Sequence, residues 1–243
     1  MCARATAAAL LLLSPCAWAA PASGPRQTET AQTASAAAPT YRAGLKSIAI
    51  PPPDSDLLEI GPDYRVLFET FAPNTNRLIA AFVLPGEAAA LRTGGTEDTS
   101  TYGLVEVPRA AEFKEITPEI FKQVAEAVGT EFGANLDADI KAGNDEVNQR
   151  LKDLNSGVSG ITVDKPVPLG TLFSGSDEDG FGLVMQATAK GTTVKMAMAV
   201  VLVRVQDRVV FGYLYTVDKD ADTLHWLGRT SHAWADAILK ANP

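Results

Sequence analysis

The chain has 243 residues, of which 46% are hydrophobic and 21% are charged, a composition typical of a folded protein with its own core. Its formal net charge of −8 argues against nucleic-acid binding and against docking on anionic lipid, because both need clustered lysine and arginine. We therefore expect no nucleic-acid partner. Both cysteines, Cys2 and Cys16, lie near the N-terminus, so the rest of the chain has no thiol for a disulfide, a metal site or a nucleophile.

The N-terminal residues have the layout of a secretory signal peptide. Arg4 precedes a short apolar run at 7–13, and Ala17-Trp18-Ala19 offers a small-x-small cleavage site. We predict a signal peptide over 1–19, a flexible linker over 20–40 and one domain over 41–243, with a periplasmic or secreted product. No later stretch is long and apolar enough to span a membrane. The alternative is a lipoprotein anchored through Cys16, which follows a lipobox-like Leu-Ser-Pro.

The first part of the domain reads as short strands. A strand is predicted at 47–50, ahead of three prolines, and a β-hairpin at 65–71 and 77–84, two β-branched and aromatic runs separated by Ala-Pro-Asn-Thr-Asn. Residues 85–102 are polar and glycine-rich towards their end and are predicted to form a loop. Residues 104–107 form the next strand, ended by Pro108.

Two helices follow. Thr117 is a good N-cap before Pro118, and a stripe is predicted along Ile120, Val124, Ala127 and Val128. A second helix over about 136–154 carries one apolar stripe and is predicted to be kinked or split where glycine and asparagine occupy 143–144. The stripe consists of Leu136, Ile140, Val147, Leu151 and Leu154.

The rest of the chain predicts an antiparallel meander and a terminal helix. Strands are expected at 160–163, 167–173 and 181–188, with a hairpin loop at 175–180. The most apolar run begins at Val194, turns at Gln206-Asp207, returns to Val217 and leads into an amphipathic helix. The fold class is therefore predicted as α+β, an antiparallel sheet flanked by helices, with a closing C-terminal helix.

The last strand offers a candidate groove or packing face. Phe211, Tyr213 and Tyr215 alternate, so their side chains point to one face of the sheet. We predict that the closing helix, with Trp234, covers this row, and that Trp226 lies at the edge of the packed face. Val210 and Leu214 are also apolar, which favours a central strand covered on both sides.

Acidic residues supply weak candidates for a metal site. Asp218, Asp220 and Asp222 match the first three alternate acids of a calcium loop, but Thr223 stands where that loop needs glycine. Capping of the helix start explains these acids sufficiently. His225 and His232 lie about 10.5 Å apart along the helix, too far to share one metal, and are interpreted as helix-surface residues.

The order of elements resembles the PsbP-like α/β/α sandwich, which includes the DcrB-type bacterial envelope proteins. The resemblance rests on residues 65–84, 117–132 and 194–242, above all Val-Val-Leu-Val-Arg-Val-Gln-Asp-Arg-Val-Val-Phe-Gly-Tyr-Leu-Tyr-Thr-Val and the helix behind it. The chain is also similar to uncharacterised exported proteins of Gram-negative bacteria. No functional residue follows from this resemblance.

The sequence contains no catalytic motif, so no catalytic residue and no cofactor are predicted. The leading hypothesis is a non-enzymatic periplasmic binding or accessory protein that engages an envelope partner or a small ligand. The first alternative is a hydrolase or carbohydrate-active enzyme that uses carboxylates, and two buried acids facing each other across a deep cleft would favour it. The second alternative is a calcium-stabilised structural module.

Overall fold

The computed structural model describes residues 38–69, 72–92, 100–134, 136–153, 160–189 and 191–243. The predicted signal peptide, Cys16 and nearly all of the predicted linker lie outside these residues. The elements in chain order are β1 (Thr40–Ala43), β2 (Lys46–Ala49), β3 (Leu58–Glu59), α1 (Pro62–Glu69), β4 (Asn76–Val83), α2 (Pro85–Arg92), β5 (Thr101–Pro108), α3 (Pro118–Ala134), α4 (Leu136–Asp153), β6 (Thr162–Val163), β7 (Val167–Ser174), β8 (Glu178–Ala189), β9 (Thr192–Val205), β10 (Arg208–Val217) and α5 (Ala221–Ala241).

Within the described residues, the main sheet has eight strands, and all of their pairings are antiparallel. Its order is β3-β4-β5-β10-β9-β8-β6, with β7 also paired to β8, while β1 and β2 form a separate hairpin. The long strands β8, β9 and β10 form the predicted antiparallel meander. The α+β fold class, with helices beside an antiparallel sheet and a C-terminal helix, is therefore confirmed.

Helices cover both faces of this sheet. One face packs against α1, α2, α3 and α4 through a core that includes Phe68, Phe121 and Leu151. The other face packs against α5 and the β1–β2 hairpin through a core that includes Ile48, Leu227 and Trp234. The central strands β9 and β10 are thus buried on both sides, as their almost uninterrupted apolar sequence predicts. None of the described helices is long and apolar enough to cross a membrane.

The predicted N-terminal β-hairpin is wrong, because residues 65–69 of its first predicted strand belong to the helix α1. Pro62 stands at the first helical position, where its missing N–H costs nothing. Phe68 on this helix is buried and contacts the ring of Tyr102 at 5.9 Å between centroids. The β-branched composition that favoured a strand is overridden by this tertiary contact. The second half of the predicted hairpin, β4, is a strand as expected.

The predicted loop at 85–102 also contains a helix, α2. Pro85 begins the helix, and the Glu87 carboxylate reaches back to accept a hydrogen bond from the Leu84 N–H at 3.1 Å. Proline followed by glutamate two residues later is one half of a capping box, a signal that the polar composition of the segment obscured.

Two predictions for the middle of the chain, the hairpin loop at 175–180 and the apolar stripe of α3, need correction. The predicted loop at 175–180 is shorter, because Glu178 already begins β8 and Asp179 pairs with Ser174. In α3 the buried side chains are those of Phe121, Ala125 and Val128, whereas Ile120 is 40% exposed and Ala127 is also exposed.

The predicted interruption of α4 is absent, since the helix runs unbroken through Gly143 and Asn144. Asn144 and Asn148 lie one turn apart, and each exchanges two hydrogen bonds with the backbone of 161–163, at 2.7–3.1 Å. Val147 and Leu151 of the predicted stripe are buried. The side chains of Leu136 and Ile140, and all of Leu154, lie outside the described part.

The closing helix covers the opposite face of β10 from the one predicted. Phe211, Tyr213 and Tyr215 face α1–α4, while Val210 and Leu214 face α5. Gly212 explains why α5 packs on this face of β10, because a Cβ atom at that position would lie 2.8 Å from the Trp234 ring. The glycine creates the space into which the tryptophan packs.

Candidate functional site

A cleft of about 740 Å³ lies between α3 and the β7–β8 hairpin, near one edge of the main sheet. This size is within the range of small-molecule sites. It lies on the face of the sheet that carries α1–α4. Its lining consists of Lys122, Ala125, Glu126, Gly129, Thr130, Pro168, Gly170, Thr171, Ser174, Asp179, Phe181 and Gly182.

The apolar part of the cleft is built around Phe181 on β8. Its ring approaches Gly129 of α3 so closely that a Cβ atom there would lie 2.9 Å from it. Glycine at this position therefore lets the helix and the strand meet at the base of the cleft. Ala125, one helical turn earlier, adds a small side chain to the same surface. The result is a flat aromatic surface flanked by small residues.

Charged and hydroxyl groups surround this surface. Lys122 and Glu126 project from α3, while Asp179 lies on β8 and interacts with the Ser174 hydroxyl. Burial raises the pKa of Asp179, and the hydrogen bond with Ser174 opposes that rise. With Thr171 and Ser174 on β7, the lining presents one cation, two acids and several hydroxyls. Such a surface suits a small amphipathic molecule.

A second constellation lies on the opposite face of the same sheet edge. Glu178, His232 and Asp236 place one potential ligand atom each within 4.8 Å of one another. Glu178 begins β8, whereas His232 and Asp236 lie one turn apart on α5. Because neighbouring residues of a strand point to opposite faces, Glu178 contacts α5 while Asp179 lines the cleft.

The sequence-derived metal candidates do not form a site together. Asp218 forms an ion pair with Lys195 at 2.7 Å, and its side chain is 5% exposed. Asp220 is the N-cap of α5 and accepts hydrogen bonds from the N–H and hydroxyl of Thr223, both at 2.9 Å. Asp222 is exposed in the first turn of the helix. Asp220 is thus a helix cap, whereas Asp218 is held by an ion pair with β9.

The candidate groove residues are packed inside the protein. Phe211, Tyr213 and Tyr215 are each at most 5% exposed, and Tyr215 stacks on Tyr102 with ring centroids 4.5 Å apart. Trp234 is 1% exposed and Trp226 is partly buried against the same core. Phe211, Tyr213 and Tyr215 therefore pack in the core under α1–α4, whereas Trp226 and Trp234 pack in the core under α5, and none of the five lines the cleft.

One carboxyl lies deep in the core, on the face that carries α1–α4. Glu106 on β5 is 2% exposed, and its carboxylate accepts a hydrogen bond from the Asn76 amide at 2.7 Å. Burial raises the pKa of Glu106 to about 7, and the bond from Asn76 only partly opposes this. A second buried glutamate, Glu87, caps α2. Neither lines the cleft.

Sequence reasoning missed both the cleft and the Glu178–His232–Asp236 cluster. The helical spacing of His232 and Asp236 is a local signal that both lie on one helix face. Their partner Glu178 is 54 residues away from His232, and no pattern connects the two. The cleft likewise depends on how α3 meets β7 and β8.

No protein-family model matches the chain, and no curated protein sequence does. Among solved structures, the chain is similar to the Ran-binding protein Mog1p of Saccharomyces cerevisiae, with 12% identity and a TM-score of 0.26. That match covers 80% of this chain and 84% of the other. A Mog1 point mutant matches with 13% identity and a TM-score of 0.27, over 84% and 90% of the two chains. Similarity at these levels carries no argument about function.

Proposed function

We propose that the protein is an exported, non-enzymatic binding protein whose cleft takes a small amphipathic ligand. The observation that carries the proposal is the cleft of about 740 Å³ between α3 and the β7–β8 hairpin. The proposal includes export, which the signal-peptide layout of the N-terminal residues supports. It also includes membership of the PsbP-like class, which the order of elements supports.

The lining defines the chemistry of the ligand. The Phe181 ring and the small residues beside it favour a flat or apolar portion, since burial of such a surface drives binding. Asp179 and Glu126 favour a donor such as an amine or hydroxyl group, and Lys122 accommodates an acceptor. The ligand therefore combines an apolar body with polar groups of both kinds.

Two buried acids facing each other across the cleft would favour the enzyme alternative, and the side chains that the structure describes supply no such pair. Glu87 and Glu106 are buried in the described residues, but each is held by hydrogen bonds away from the cleft. The cleft acids Glu126 and Asp179 are not fully buried, since Glu126 is exposed and Asp179 is half-buried. We therefore propose binding and not hydrolysis for this site.

Ligand-observed NMR with a set of small aromatic amines and alcohols tests the proposal. We expect the protein to bind a subset of them, and Thr171→Trp to abolish this binding by filling the cleft from its rim. The matched control is Thr162→Trp, because Thr162 is also exposed in a strand beside β8 but does not line the cleft. Equal binding by both variants, or no binding by the unmodified protein, contradicts a cleft ligand. Turnover in an unbiased hydrolase screen that Asp179→Asn abolishes contradicts the non-enzymatic role.

A further inference from the structure

We propose that Glu178, His232 and Asp236 form a binding site for a divalent first-row transition metal, for which Zn²⁺ is the best probe. The site lies on the face of the sheet that carries α5 and shares no residue with the cleft. It is therefore independent of the proposed ligand.

The distances between the side chains fit a metal between them. Glu178 Oε1 lies 3.2 Å from His232 Nε2, and the three ligand atoms lie within 4.8 Å of one another. Two ligands of a tetrahedral zinc are expected about 3.4 Å apart, given metal–ligand bonds of about 2.1 Å. Small side-chain rotations would bring the Asp236 carboxylate to the same distance, because its residue is exposed.

The charge of the cluster also favours a cation. The ligand atoms of the Glu178 and Asp236 carboxylates lie within 4.8 Å of each other, so their negative charges repel at close range. Glu178 Oε2 is shielded from solvent and accepts no hydrogen bond from any described residue. A divalent cation would compensate two carboxylates that repel each other and would occupy the neighbourhood of this unsatisfied oxygen.

Neighbouring residues hold two of the three ligands in place. The Phe173 ring stacks on the His232 imidazole, with centroids 4.6 Å apart and planes 14° from parallel. Arg204 fixes the turn before Glu178 through two contacts with Asp177. Its guanidinium pairs with the Asp177 carboxylate at 2.6 Å, and its backbone N–H donates to the Asp177 carbonyl at 2.7 Å. The site is thus preorganised by a ring contact on one side and an ion pair on the other.

The ligand types select the class of metal. One imidazole and two carboxylates suit zinc and its neighbours, whereas Ca²⁺ prefers six to eight oxygen ligands. The His232 side chain is 51% exposed, so water can complete the coordination from the solvent side. An ordinary ion pair between protonated His232 and Glu178 would give a similar geometry, and the experiment separates the two.

The test is isothermal titration of the full chain, free of any affinity tag and stripped with chelator, with ZnCl₂ at neutral pH. We expect one Zn²⁺ per chain, and at least about tenfold weaker binding in His232→Gln and in Asp236→Asn. The matched control is His225→Gln, which removes the other histidine of the same helix and should leave the affinity unchanged. CaCl₂ should give no comparable heat.

Two further measurements keep the outcome unambiguous. Co²⁺ bound at the site should give visible absorption bands that His232→Gln removes, because the imidazole would no longer coordinate the ion. Thr171→Trp should leave Zn²⁺ binding unchanged, which separates this site from the cleft. Zn²⁺ affinity that is equal in His232→Gln and the unmodified protein, or that falls equally in His225→Gln, overturns the proposal. Absence of Zn²⁺ binding leaves the plain ion pair and overturns it as well.

Discussion

Glu106 is a carboxyl enclosed by the core, between the Asn76 amide and the aromatic row of β10. Its register partner on β10 is Phe211, and Tyr213 lies close enough for the Glu106 charge to raise the tyrosine pKa further, after desolvation. A single hydrogen bond from Asn76 does not replace the hydration that a carboxylate has in water. The neutral acid is therefore the favoured form in the folded protein below about pH 7.

The raised pKa of Glu106 predicts that the protein loses stability as the pH rises. The folded state holds the proton up to a pKa of about 7, whereas the unfolded chain releases it near 4.5. The stabilising contribution is thus complete below about pH 4.5 and lost by pH 7 to 8, a change of about 3 kcal/mol. Glu106→Gln should flatten this part of the pH dependence, measured by urea unfolding from pH 5 to pH 8.

The matched control for Glu106 is Glu112→Gln. The pKa of Glu112 is lowered, chiefly by its hydrogen bond with Arg77, so it titrates below the tested range. Its substitution should leave the slope between pH 5 and pH 8 unchanged. A Glu106→Gln protein with the pH dependence of the unmodified chain would show that Glu106 ionises normally in the folded state.

At the scale of elements, α5 begins where the sequence places a helix cap. Asp220 has extended backbone angles and accepts two hydrogen bonds from Thr223, which lower its pKa. Capping satisfies a backbone N–H that the helix leaves without a partner. Asp218, Asp220 and Asp222 therefore do not come together as a calcium site, and the contacts of Asp218 and Asp220 have a structural role.

We expect Asp220→Ala to lower the Tm by about 2–4 °C, because loss of an N-cap weakens the first turn. Asp222→Ala, which removes an acid from the same turn without removing the cap, should have a smaller effect. Differential scanning fluorimetry measures both. Addition of CaCl₂ after treatment with EGTA should not change the Tm of either protein. A Ca²⁺-dependent rise that Asp220→Ala removes would instead support the calcium-stabilised module.

In two elements, α1 and the middle of α4, tertiary packing overrides the secondary structure that the local sequence pattern predicts. Residues 65–71 have the β-branched and aromatic composition typical of a strand, yet residues 65–69 belong to the helix α1. That helix begins at Pro62 and buries Phe68 against Tyr102. In α4, Gly143 and Asn144 predict a break. The Asn144 side chain instead forms two hydrogen bonds with the backbone of β6, which stabilise the helix at this position. Both outcomes depend on partners distant in the sequence.

At the scale of the whole molecule, Trp234 joins three parts of the fold. Its ring packs over Gly212 of β10 and meets the Phe82 ring of β4 edge-on, with centroids 6.3 Å apart. Its indole N–H donates to the Pro51 carbonyl at 2.9 Å, just after the β1–β2 hairpin. Asn242, at the end of the same helix, exchanges two hydrogen bonds with Ala49 at 2.8 Å.

We expect Trp234→Ala to lower the free energy of unfolding by about 3–5 kcal/mol, as for other truncations of large core side chains. His225→Ala is the control, because His225 is exposed on the same helix and should change the stability little. Equilibrium denaturation in urea, followed by circular dichroism, measures both. Similar stability of the Trp234→Ala and unmodified proteins would mean that α5 is not packed on the sheet as described.

The sequence by itself determined the antiparallel meander of β8–β10, the closing helix with capping acids at its start, and the α+β class. Each rests on neighbouring residues, through period-two alternation, turn chemistry or capping. Only the tertiary structure decided which face of β10 the closing helix covers, because Gly212 provides space on one side. It also decided that Glu178 meets His232 and that α3 forms a cleft with β7–β8, since those contacts join residues far apart in the chain.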